Sequence, residues 1–422
     1  LMPRRSRLLV VEDIPDPRTG PVWRELRGDG FEVAASPLER SLDLIAAGLR
    51  PDVVLLNLDA AGDDRRADAY RDLAARLTAR LGARRLPIIA LSREAIERPL
   101  GVSEVLDGPV GPARIATRTE ALARISTMHR EALRRLETAR QFGVTGFDPV
   151  IDIGAGAPTV LVLGIGHSYL AVEAALGQAG TVIGALTVSQ AMTALDQLDI
   201  DLILVDALAD AAVLLPLLRR DPRRASLPVV ALGAAADLDE LYRLGLTDQV
   251  GTHDGRAMRR RLGDHIAEHR AREALRAVYW NTRRHVAHDE ATGLFGRDVF
   301  LAHADRVLAD IEDGHEQAVM GVFIVGPVSE RISRTVGPLF GLAARAEDYV
   351  AHVGPGRFAV VFSATDLEGA RLASERLTAI VRQTATSLGT LHIDYALGEP
   401  LPHETAAACL ARVAAIAEAR AR

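Results

Sequence analysis

The sequence contains no lysine: all 50 of its basic residues are arginine. A phosphate-loop NTPase lysine, a Schiff-base lysine and a Ser–Lys dyad are therefore excluded. Cysteine occurs once, at Cys409, so there is no disulfide framework, and a reducing, cytoplasmic setting is expected. No apolar run approaches the ~20 residues of a membrane span. The opening Leu1-Met2-Pro3-Arg4-Arg5 leads straight into a strand pattern, and no signal peptide is expected. A net charge of −6 argues against a general nucleic-acid binder, so neither DNA nor a membrane is expected as a partner.

What is present is a chain of 422 residues, 48% apolar. That is ample for two to four domains at roughly 100–200 residues each. Two stretches read alike. In the first, the strand patterns Leu8 to Val11, Glu32 to Ala34, Val53 to Asn57, Pro87 to Ser92 and Glu104 to Leu106 alternate with helical ones. In the second, Val160 to Leu163, Thr181 to Ile183, Leu202 to Asp206 and Pro228 to Leu232 do the same. Uniformly apolar strands alternating with amphipathic helices predict a duplicated α/β unit: two doubly wound, five-stranded parallel sheets. A weakly periodic stretch at 140–155 reads as a linker. Residues 257–286 read as a long Arg-rich helix with Leu262, Ile266, Leu275, Val278 and Trp280 on one face, as a solvated helix or a dimer stalk would show. From about 285 an α+β domain follows. Its elements are a turn, a helix at 297–312, a strand at 320–325, a helix at 329–346, a hairpin around Gly354-Pro355-Gly356, a helix at 366–383, a strand at 391–397 and a terminal helix. The expected domains are 1–140, 155–270 and 285–422.

A phosphoacceptor site on such a parallel sheet needs an Asp at the carboxyl end of the third strand and an acid pair after the first to hold Mg²⁺. A hydroxyl residue and a Lys complete it. The first unit offers Glu12, Asp13 and Ser92, but Asn57 stands at the acceptor position, and an amide cannot form an acyl phosphate. Gly108 stands at the lysine position, and Asp59 falls beyond the strand. The second unit has Asp206 at the acceptor position, but Leu163 and Gly164 replace the metal pair and Gly233 and Thr252 the other two groups. Phosphate approaching Asp206 meets uncompensated charge. Asn57 and Asp206 are therefore degenerate phosphoacceptors, Glu12 and Asp13 a vestigial metal pair, and both units are expected to serve protein–protein contact. A helix-capping or solvated acid is the plainer reading of Asp206.

With LLVVED and PDVVLLN in the first unit and HDEATGLFGR opening the third domain, the chain resembles response regulators of the PleD type. These are built as receiver, receiver adaptor and diguanylate cyclase (GGDEF) domain. The turn of Asp289, Thr292, Gly293, Leu294 and Arg297 is similar to that domain's opening signature, with Gly296 in place of the usual Asn. The chain is most similar to the PopA subgroup, whose GGDEF domain is non-catalytic and acts as a cyclic di-GMP receptor. Cyclisation of GTP needs carboxylates for two Mg²⁺ ions, drawn in the family from the hairpin turn and the preceding strand. Here Gly354-Pro355-Gly356-Arg357-Phe358 occupies the hairpin, and no acid stands between Glu316 and Glu330. The interval from that strand to Arg345 is also about a dozen residues shorter than the family's.

The retained feature is Arg345-Ala346-Glu347-Asp348. Arg-x-x-Asp is common, as Arg65/Asp68 and Arg261/Asp264 illustrate, and on a helix it is usually a solvated ion pair. By resemblance, its spacing of nine residues before the hairpin's first Gly matches the family's product-binding inhibitory site. Arg376, eighteen residues after Phe358, matches a secondary arginine of that site. Arg can bond guanine O6 and N7 bidentately, and a carboxylate can accept from N1 and N2. The resemblance implies a non-enzymatic receptor with cyclic di-GMP as ligand at Arg345, Asp348 and Arg376. It implies no catalytic residue, no metal and no cofactor. It also implies a homodimer, cytoplasmic and at the cell pole, that relays the ligand to protein partners such as a proteolysis adaptor. A residual cyclase and a ligand-free dimeric scaffold are the alternatives.

Overall fold

A computed structural model of the chain describes residues 6–12, 19–58, 64–81, 86–93, 96–108, 110–144, 156–164, 166–221, 223–233, 238–251, 254–286, 288–313, 316–327, 329–385 and 391–421. Asp13, Asp59 and Thr252 lie outside them. The chain divides into two compact units: residues 6–126 with 151–274, and residues 127–150 with 275–422. Two long helices, α4 (Pro112–Gln141) and α9 (Gly255–His285), contribute residues to both.

The first sheet has the order β2-β1-β3-β4-β5, all parallel. Its strands are β1 (Arg7–Val11), β2 (Glu32–Ser36), β3 (Val53–Asn57), β4 (Ile88–Ser92) and β5 (Glu104–Asp107). Its helices are α1 (Thr19–Gly28), α2 (Leu38–Ala46), α3 (Asp64–Leu81) and α4 (Pro112–Gln141). The central strands are apolar through Leu8–Val11, Val53–Leu56 and Ile88–Leu91 because both faces are covered. Leu9, Val54, Leu56 and Ile88 pack into one core, and Leu8, Val10, Val53, Leu55 and Ile89 into another.

The second sheet repeats this order, β7-β6-β8-β9-β10. Its strands are β6 (Thr159–Leu163), β7 (Thr181–Ala185), β8 (Leu202–Val205), β9 (Val229–Leu232) and β10 (Asp248–Val250). Its helices are α5 (Gly166–Leu176), α6 (Val188–Gln197), α7 (Leu208–Arg220), α8 (Asp239–Arg243) and α9 (Gly255–His285). β10 has three residues, too few for an alternation to be read, and it is named here only from its pairing with β9. Strand β8 stops at Val205, so Asp206 stands just past its end rather than in it.

The duplication shows in a buried charge network within this unit. Glu104 and Asp248 each open the last strand of their sheet, and Arg118 and Arg261 are each the seventh residue of the helix that follows. Asp248 faces Arg261 at 2.7 Å, Arg114 at 2.8 Å and His265 at 2.9 Å. Glu104 faces Arg118 at 3.0 Å and Arg261 at 3.3 Å. Burial would raise the Asp248 carboxyl, but Arg261, Arg114 and His265 hold it well below the usual range. Glu104, Asp248 and His265 stand close enough to surround a cation. Three arginines already supply positive charge there, which makes it an ion-pair network and disfavours a metal.

The third sheet is mixed, with order β11-β12-β14-β15-β13-β16. Its strands are β11 (His288–Asp289), β12 (Leu294–Phe295), β13 (Ala318–Gly326), β14 (Tyr349–Gly354), β15 (Arg357–Ser363) and β16 (His392–Gly398). Helices α10 (Arg297–Glu312) and α13 (Ala406–Ala421) contribute to one core with Met320, Val322 and Ile324. Helices α11 (Glu330–Ala343) and α12 (Leu367–Thr384) contribute to the other with Val319, Phe323 and Val325. Ser329 and Asp366 cap α11 and α12 by accepting the N–H of Ile332 and Gly369.

Two expectations need correction. Helix α11 ends at Ala343, so Arg345 lies in a turn and not on a helix. On α9, Leu262, Ile266 and Leu275 are buried as expected, but Trp280 is exposed and Tyr279 takes the inward place. The helical repeat of 3.6 residues carries the stripe from 275 to 279 and turns 280 away. Among the described residues no helix is long and apolar enough to cross a membrane.

Candidate functional site

In the first sheet Asn57 ends β3, buried, and its Nδ2 donates to Glu12 at 3.4 Å. The indole N–H of the buried Trp23 donates to the same carboxylate at 3.3 Å. Ser92 ends β4, buried. Glu12, just past the end of β1, thus accepts from protein donors on both β3 and α1. In the second sheet a Cβ on Gly164 would stand 2.5 Å from the Asp206 Cβ. Asp206 therefore packs directly over a position that only glycine fits, and that position cannot carry an acid without displacement.

In the α+β domain the hairpin turn joins Gly354 to Arg357 through two residues. Pro355 and Gly356, with φ +65° at Gly356, are the residues a type II turn asks for. Both backbone groups of Gly356 are engaged. Its N–H donates to the Ser333 Oγ of α11 at 2.9 Å, and its carbonyl accepts from the Val325 N–H of β13 at 2.8 Å. Arg357 pairs with Glu418 of α13 at 2.7 Å. Neither Ser333 nor Glu418 was legible as a hairpin contact. Ser333 is 23 residues from Gly356, and Glu418 reaches the turn only because α13 packs beside β13.

The Arg-x-x-Asp segment is a closed turn between α11 and β14. The Asp348 N–H donates to the Arg345 carbonyl at 3.1 Å, and the Arg345 N–H donates to Asp348 Oδ2 at 3.1 Å. Asp348 is buried and Arg345 half-buried. Among the described residues the Arg345 guanidinium has no hydrogen-bond or ion-pair partner. Arg376 of α12, half-buried, donates to the Ala343 carbonyl at 3.4 Å, two residues before Arg345. The three predicted residues are thus brought together. Burial and the neighbouring Glu347 push the Asp348 carboxyl up to about 7, against the pull of Arg345 and Arg376. The other described copy of the spacing behaves differently: Arg261 goes to Asp248, and Asp264 pairs with Arg98 at 3.0 Å. Position in the fold, not spacing, separates the two.

The back of this turn is held by a residue the sequence did not single out. Arg135 of α4, buried, donates from Nη2 to the carbonyls of Ala346 at 3.1 Å and Asp348 at 3.0 Å.

No family model matches the chain, and no curated protein matches it. Among solved structures, the GGDEF domain of DgcB from Caulobacter crescentus, in complex with c-di-GMP, is 21% identical. That match covers 32% of this chain and 90% of that one, with a TM-score of 0.30. The GGDEF domain of FimX from Pseudomonas aeruginosa is 19% identical over 31% and 91%, with a TM-score of 0.26. A response regulator from Chloroflexus aurantiacus is 20% identical over 26% and 98%, with a TM-score of 0.24.

Proposed function

We propose that this chain is a non-catalytic cyclic di-GMP receptor that binds the dinucleotide at Arg345, Asp348 and Arg376 of a degenerate GGDEF domain. One observation carries the reading. Arg345, whose guanidinium has no hydrogen-bond or ion-pair partner among the described residues, shares a closed turn with a buried carboxylate, and a second arginine stands against the same segment. Guanine offers two acceptors on one edge and two donors on the other, which a guanidinium fork and a carboxylate complement. The hairpin supports the absence of catalysis. Its turn carries no acid, its Gly356 N–H is taken by Ser333, and Glu418 beside the turn is paired with Arg357. Asn57 and Asp206 support a phosphorylation-independent role for the two parallel-sheet units.

By its resemblance the receptor acts in the cytoplasm and at the cell pole, as a homodimer, passing the ligand signal to protein partners such as a proteolysis adaptor. Calorimetric titration of the full chain with cyclic di-GMP tests the reading. Binding at micromolar or tighter dissociation constant, roughly −8 kcal/mol, is expected. No heat and no competition with a labelled dinucleotide would leave the ligand-free scaffold.

A further inference from the structure

We infer that Arg135 is a positioning residue for the Arg345–Asp348 turn, so that ligand occupancy of the turn and the packing of the second half of α4 are coupled. The inference rests on the receptor reading above and adds the element through which the site would be regulated.

Arg135 does not face the proposed ligand. Its guanidinium is buried, and its Nε, its Nη2 and its plane are all engaged. Nε donates to Glu131 at 2.6 Å. The cation lies 4.2 Å from the Tyr279 ring centroid and 5.2 Å from that of Tyr349, the residue directly after Asp348. The Nη2 end closes on two carbonyls of the four-residue turn. Glu131, fully buried, is held in its turn by Arg134 at 3.0 Å and by His303 at 3.3 Å, and His303 stacks on Tyr349 at 3.7 Å. Burial would raise the Glu131 carboxyl, but His303, Arg135 and Arg134 keep it well below the usual range, so the anchor of Arg135 stays charged.

A planar fork locked at one end by a charged carboxylate and gripped by two rings has little freedom at the other end. The carbonyls of Ala346 and Asp348 are therefore fixed in place. With them is fixed the backbone from which the Asp348 carboxylate and the Arg345 side chain project. A carbonyl of a chain segment just past a helix end needs such a donor when it is buried. Ligand that pulls on Arg345 or Asp348 must move these carbonyls or hold them where they are. Where it shifts or further restrains them, the α4 contact differs between the free and the bound state, and by linkage the packing of α4 responds to the ligand.

The test uses the full chain. Calorimetry with cyclic di-GMP compares wild type, Arg345→Ala, Arg135→Lys and Arg135→Gln. Amide hydrogen exchange is followed with and without ligand. Arg135→Lys keeps a cation between the rings but lacks the fork, and it should lower affinity at least tenfold. In the absence of ligand, exchange of the Asp348 N–H should rise in this variant, while amides of β13 and β15 stay as in wild type. In wild type, ligand should slow exchange within residues 128–139 as well as in the turn. If Arg135→Gln does not fold, Arg135→Lys and the wild-type exchange experiment still decide. A wild type that binds, together with an Arg135→Lys affinity within twofold of it, overturns the inference and leaves the receptor reading standing. So does ligand protection confined to 345–376. A wild type that does not bind, or an Arg345→Ala variant that binds equally well, overturns the receptor reading itself and the coupling with it.

Discussion

Ser333 Oγ accepts the Gly356 N–H at 2.9 Å, so a side chain of α11 occupies the hairpin amide. Incubation with GTP and Mg²⁺ or Mn²⁺ should yield no cyclic di-GMP. Ser333→Ala, which frees the amide, should yield none either, because residues 317–329 and the turn carry no acid to hold metal. Chromatographic detection of product above a buffer blank in wild type would sink the non-catalytic reading.

Arg345→Ala removes a charge-assisted contact worth about 1.5–3 kcal/mol, so the dissociation constant should rise about tenfold to a hundredfold or more. Arg376→Ala should weaken binding by less, since it spends one contact on Ala343. Arg371→Ala is the control: that side chain sits on the same helix in exposed pairs with Glu368 and Glu375. Equal losses for Arg345 and Arg371 would place the ligand elsewhere.

The Asp348 carboxyl, pushed up to about 7, makes both affinity and stability pH-dependent. Accepting the guanine donors requires the ionised form, so affinity should increase as pH rises from about 6 to 8. Asp348→Asn should flatten that profile. Stability runs the opposite way. The folded state holds this proton more tightly than the unfolded chain does, so stability from Asp348 is greatest below the ordinary Asp range near 4 and is lost as pH rises toward 7. Calorimetric titrations and urea melts across pH 4–8 report the two signs separately.

Asp248→Asn in the buried network takes the nearer carboxylate from Arg261 and Arg114, leaving the first with Glu104 at 3.3 Å and the second with Asp107 at 4.0 Å. It should cost about 3–5 kcal/mol, read from denaturant midpoints. Because the Asp248 carboxyl is held low in the folded state, its contribution is present above the ordinary Asp range near 4 and is lost as pH falls below it. A variant that melts like wild type would show that the network adds nothing to stability.

Acetyl phosphate should modify neither Asn57 nor Asp206. The first is an amide bonded to Glu12, and the second packs over Gly164 with no acid pair beside it. Intact-mass spectrometry reads this directly, and a stable adduct of 80 Da on a peptide containing Asp206 would overturn it.

The sequence by itself determined the two parallel sheets, the α+β character of the third domain and its hairpin, because each is written in local periodicity, whereas β11 and β12, two residues each, read only as a turn. Val53 to Leu56 is apolar throughout because both sheet faces are covered, and Pro355-Gly356 can only turn. It also determined the loss of acids from the hairpin and from residues 317–329. β10 was not legible, since three residues carry no period and only the adjacent β9 defines it. The spacing that marks Arg345 and Asp348 also marks Arg261 and Asp264, and sequence gave both the same local form. Tertiary structure alone separated them. It ended α11 at Ala343, buried Asp348 beside Glu347, left the Arg345 guanidinium without a partner among the described residues and sent Arg261 to Asp248. It alone also brought Ser333, Glu418 and Arg135 to the turns they hold. The Arg135 contacts span more than two hundred residues, and no local pattern encodes a hydrogen bond whose partner is fixed only when two distant elements pack.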